Sequence, residues 1–70
     1  MNRLDQAAAA LIADLNARYP LGTPVVARMG SGFVRATIAS AVWSRDHRVL
    51  IQCDDNGRYH RKHYSDVSRV

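Results

Sequence analysis

The chain has 70 residues, with 10 Lys and Arg against 6 Asp and Glu and a formal net charge of +4. That length suits one domain with a thin core, a size at which stability is marginal and a covering helix or partner chain helps. An apolar content of 47% excludes full disorder. No apolar run approaches the roughly 20 residues of a membrane span.

Cys53 is the only cysteine, so no internal disulfide forms. This favours a reducing compartment, and a cytoplasmic location is expected. The Ala-rich stretch 7–12 lacks the basic, apolar and cleavage-site order of a secretory signal.

Taken in order, Asn2 is placed to cap a helix, and Asp5 suits its first turn. Leu4, Ala8, Leu11, Ile12 and Leu15 recur at helical spacing and form one apolar stripe. Asp5, Asp14 and Arg18 fall off that stripe. The spacing predicts a helix over 3–18, ended by Tyr19-Pro20, because the residue before a proline is pushed out of the α region.

Leu21 to Pro24 connects to a first strand, in which Val25, Ala27 and Met29 alternate with Val26 and Arg28. Gly30-Ser31-Gly32 turns the chain into Phe33. From Phe33 to Val42 the residues suit one long half-buried strand, with Val34, Ala36 and Ile38 on one face and Phe33, Arg35 and Thr37 on the other. Ser44 to His47 reads as a polar loop. Val49, Ile51 and Cys53 then mark the inward face of the next strand. Leu50 points away and is expected to receive the apolar stripe of the helix.

Asp55-Asn56-Gly57 is a tight turn signal, since Asn and Gly tolerate positive φ. Arg58 to His63 follows as a strand with no aliphatic face. Tyr64 to Val67 reads as one helical turn, and Ser68 to Val70 as a closing strand. One helix followed by about five short strands predicts an α+β, mainly β chain in which the helix packs on a small barrel.

Four segments, in this order, resemble the Tudor, KOW and related SH3-like barrels. Gly22 to Ala27 looks like the opening strand. Phe33-Val34-Arg35-Ala36-Thr37-Ile38 looks like the Tudor segment with its central Arg-Ala. Val49 to Gly57 is similar to the third strand and its Asp-x-Gly turn, and Asp66 to Val70 to the closing turn and strand. The resemblance covers residues 22–70 and implies a five-stranded barrel. It does not bring the family's methyl-ligand cage, which holds a cation among aromatic rings. Phe33 stands at the first cage position, but Cys53 and Asn56 stand where further rings belong.

The positive charge is uneven. Residues 1–20 balance, with Arg3 and Arg18 against Asp5 and Asp14, and the excess lies in the β part. Arg58, Tyr59, Arg61 and Lys62 form a basic-aromatic cluster, in which cations suit phosphates and tyrosine suits base stacking. Arg35 and Arg48 are placed beside it, and Arg28 and Arg45 extend it if the barrel brings them near. The bland reading is a solvated edge strand blunted by charge against aggregation.

The expected function is therefore a non-enzymatic module contacting nucleic acid or a nucleic-acid-bound complex. The alternative is a protein-interaction adaptor or inhibitor, encoded by a phage or mobile element, that uses Phe33, Trp43 and Leu50 or binds an acidic protein. A homodimer is compatible with either. No cofactor is expected, and no metal, because His60 and His63 are three apart on a strand and point to opposite faces. Asp54 and Asp55 diverge in the same way and have no paired base. A plasmid-borne dihydrofolate reductase is built on an SH3-like barrel, but its Val-Gln-Ile-Tyr signature is absent here.

Overall fold

The structure is a computed structural model that describes residues 3–70, with side chains from Gln6 onward. The proposed cap at Asn2 lies outside the described residues. One helix, α1 (Arg3–Arg18), precedes six strands: β1 (Pro24–Met29), β2 (Gly32–Ile38), β3 (Trp43–Arg45), β4 (Arg48–Asp55), β5 (Arg58–His63) and β6 (Val67–Arg69). A 3₁₀ turn at Tyr64–Asp66 links β5 to β6. The chain is α+β and mainly β.

The strands form one curled antiparallel sheet, a half-barrel compatible with a small SH3-like barrel. β4 lies at its centre. β5 pairs along one edge of β4, while β3 and β2 share the other edge; β1 follows β2, and β6 follows β1. β5 is an edge strand.

Alternation along the strands separates an inner and an outer face. Val25 and Ala27 of β1, Ala36 and Ile38 of β2, Val49, Ile51 and Cys53 of β4, and Val67 of β6 are all buried on the concave side. They meet Leu15 and Tyr19 from the helix and Val42 from the loop before β3 in one cluster. Leu11 and Ile12 pack against it, whereas Gln6, Ala7, Ala9 and Ala10 are exposed. The helix thus covers the core with its C-terminal half. An Asp14–Arg18 ion pair of 2.9 Å spans its last turn, and Tyr19 N–H still donates to Leu15 O at 2.8 Å before Pro20 ends it.

Three two-residue turns set the registers. Gly30-Ser31 joins β1 to β2 with positive φ at Gly30 alone, the type II′ pattern. Asn56-Gly57 joins β4 to β5 with positive φ at both residues, the type I′ pattern, and Asp54 Oδ1 accepts from Gly57 N–H at 2.7 Å. Asp46-His47 joins β3 to β4 in the same way, with φ of 51° and 62°.

Three expectations are corrected. The Phe33–Val42 segment is not one strand. β2 ends at Ile38, and a separate β3 begins at Trp43, which makes six strands instead of five. Within the connector, Val42 N–H donates to Asn16 Oδ1 of the helix at 2.8 Å and is thereby withheld from a sheet ladder. Of the loop expected at Ser44–His47, Ser44 and Arg45 belong to β3 and only Asp46-His47 turns the chain into β4. Leu50 does not receive the helix stripe. That stripe enters the concave core, and Leu50 lies on the outer face between its cross-strand partners Trp43 and His63.

Candidate nucleic-acid interface

The ladder registers divide the basic-aromatic cluster between two faces. Cys53 pairs with His60 and Ile51 with Lys62, so His60 and Lys62 share the inner side with the core. Both are half-buried. The Lys62 stem runs beside Ile51, as long cationic side chains do when only the head needs water. Arg58 has the same parity and pairs with Asp55 at the turn. Tyr59 and Arg61 pair with Asp54 and Gln52 and face outward. His60 Nε2 lies 3.7 Å from Asp55 Oδ2, a long contact.

Arg35 joins the outward set. It faces Val26 across β1 and β2, and Thr37 and Asp54 are cross-strand partners on the same face. Pro24, Arg35, Ala36, Thr37, Asp54 and Asn56 line a shallow depression of about 350 Å³ there. The hydrogen bond from Gly57 N–H fixes the Asp54 carboxylate and the turn that carries Asn56. Tyr59 is the outward cross-strand partner of Asp54 and is 63% exposed. Arg28 and Phe33 sit opposite each other at the end of the β1–β2 hairpin, and Phe33 is 70% exposed.

Sequence reasoning placed Arg28 only conditionally, weighed Asp54 only as a catalytic carboxylate and Asn56 only as a turn residue and cage position, and passed over Thr37. The Gly30-Ser31 turn held the missing signal, because a two-residue hairpin fixes Arg28 opposite Phe33.

The structure does not bring Arg48 to this group. Arg48 begins β4 and pairs with Arg45, while Arg58 pairs with Asp55 at the far end. Seven residues of strand separate the two ends, roughly 23 Å. The Arg45–Arg48 pair places like charges opposite each other, which costs stability. Phe33 is also remote from Trp43 and Leu50, at the other end of the sheet. Trp43 and Leu50 are half-buried partners.

Electrostatically the sheet is one-sided. Among the described residues, Arg18 of the helix is the one Arg or Lys with a carboxylate ion-pair partner. Arg28, Arg35, Arg58 and Arg61 are exposed without one. No group of three or more His, Cys, Asp or Glu side chains converges as a metal site among the described residues. No helix among them is long and apolar enough to cross a membrane. Comparison with protein-family models, curated proteins and solved structures finds no significant match.

Proposed function

We propose that the chain is a non-enzymatic nucleic-acid-binding module on a small barrel of the Tudor/KOW type, without the aromatic cage. Its outward arginines, Arg28, Arg35 and Arg61, neutralise phosphates, and Tyr59 lies among them. Arg58 and Lys62 add charge from the rim. The observation that carries this reading is the unpaired state of the sheet cations. Edge protection accounts for charges on β5. Arg28 and Arg35 lie past the ladders to β6 and β4, which stop at Ala27 and Thr37, and they share the outward face with Tyr59 and Arg61, a convergence that edge protection alone does not require.

The adaptor reading has less support, since Phe33 is separated from Trp43 and Leu50. Binding of a labelled oligonucleotide, followed by fluorescence anisotropy across a salt series, tests the proposal. Phosphate neutralisation releases counterions, so affinity falls steeply with salt. Each phosphate-contacting arginine contributes about 0.7 to 0.9 to the log–log slope. The Arg35→Ala/Arg61→Ala variant loses about twice that amount. Absence of binding at low ionic strength overturns the proposal.

A further inference from the structure

Resting on that reading, we infer that the ligand of the outer face is single-stranded, with bases stacked on Tyr59 and Phe33 and an unpaired base seated in the depression between them. Three observations converge. Tyr59 and Phe33 are among the most exposed large apolar side chains, and both stand on the face that carries Arg28, Arg35 and Arg61. Exposed rings with cations between them suit a strand whose bases are free, because every base offers a π-face. In a duplex those faces are already stacked.

The second observation is the placement of the depression. Along β2 the outward order is Phe33, Arg35, Thr37, and across the ladder Thr37 leads to Asp54 and then Tyr59. Arg35, Thr37, Asp54 and Asn56 line the concavity between the two rings. It offers a guanidinium donor, a carboxylate acceptor, a hydroxyl and an amide beside Pro24. Those are the groups that read the hydrogen-bonding edge of an unpaired base. Two strand spacings and four residues of strand put the rings on the order of 15 Å apart. Adjacent stacked bases lie only about 3.4 Å apart. A ligand touching both rings must therefore be splayed, with an intervening base over the depression.

The third observation is what the face lacks. The helix lies on the concave side, so it cannot enter a major groove from the outer face. β4 is bonded on both edges, so β4 and β5 are not a free two-stranded ribbon of the kind a major groove admits, and the two-stranded tip of the β1–β2 hairpin past Ala27 spans only Arg28 to Phe33.

The test uses the full chain and one mixed sequence in three labelled forms: single-stranded DNA, single-stranded RNA and duplex DNA, all at equal salt. Both single strands bind at least about tenfold tighter than the duplex, and any preference between them reports contact with the 2′-hydroxyl. Tyr59→Leu weakens single-strand binding about 5- to 150-fold, the range for loss of one stacked base, and leaves the salt slope unchanged. Phe33→Leu weakens it in the same direction, and Tyr59→Phe restores binding. Circular dichroism confirms that each variant is folded, as expected for exposed positions. Equal affinity for the duplex, or no effect of Tyr59→Leu, overturns the single-strand assignment and leaves nucleic-acid binding standing. No binding in any arm overturns both.

Discussion

Cys53 shows how a single side chain ties the core to pH. It is fully buried on the concave face, and that desolvation pushes its thiol pKa above the ordinary value, against a smaller opposing pull from the Lys62 charge. The folded state therefore favours the neutral thiol. Its contribution is undiminished while the unfolded thiol is also neutral. It declines once pH rises past the ordinary thiol value of about 8.5, where the unfolded chain begins to ionise. Urea denaturation at stepped pH should show the midpoint falling above that value. Cys53→Ala should lower the midpoint throughout, because it leaves a cavity, and should flatten this alkaline decline. An unchanged pH slope in Cys53→Ala would show that the thiol is not its source.

The helix and the sheet meet through one polar contact as well as the apolar cluster. Asn16 Oδ1 accepts from Val42 N–H, and the bond ties the connector between β2 and β3 to α1 over the open side of the half-barrel. Asn16→Ala leaves that amide without a partner, which costs about 1–3 kcal/mol. The expected result in urea unfolding is a lower midpoint by that amount, with a retained slope. A loss below about 0.5 kcal/mol would mean that the contact does not lock the helix in place.

This contact also explains where the elements were readable in the chain and where they were not. Helix α1 and the Asn56-Gly57 turn are encoded locally, by a period of apolar residues and by two residues that accept positive φ. Val42, at the end of the break between β2 and β3, is held by a residue 26 positions away, and no local pattern announces that tie. The Asp46-His47 turn is hidden for another reason. Asp46 and His47 adopt φ of 51° and 62°, a conformation that Asp and His take more readily than most residues but less readily than glycine, so the pair is a weaker turn signal than Asn56-Gly57.

At the scale of the whole molecule, the basic cluster was legible as composition but not as a surface. The run Arg58–Lys62 is plain in the sequence, yet the pairing of β4 with β5 sends Tyr59 and Arg61 outward and turns Lys62 toward the core. Arg35 could be assigned to a face by alternation. Its meeting with Asp54 and Asn56 required the β2–β4 register. Arg48 is basic and exposed but sits at the far end of β4, and only the sheet topology shows it.

A chain of this length has total stability of roughly 3–10 kcal/mol. A binding surface made of exposed side chains on a sheet suits such a chain, because its residues can change without touching the thin core. The central claim is that the convex face, and not the helix or the β3–β4 hairpin, meets the ligand. Backbone amide NMR shifts during titration with a single-stranded oligonucleotide test it most directly. The account predicts saturable shifts at Arg28, Phe33, Arg35, Asn56, Tyr59 and Arg61, with Leu11, Leu15 and Arg45 to Arg48 unmoved. Shifts confined to α1 or to the Arg45–Arg48 hairpin would contradict it.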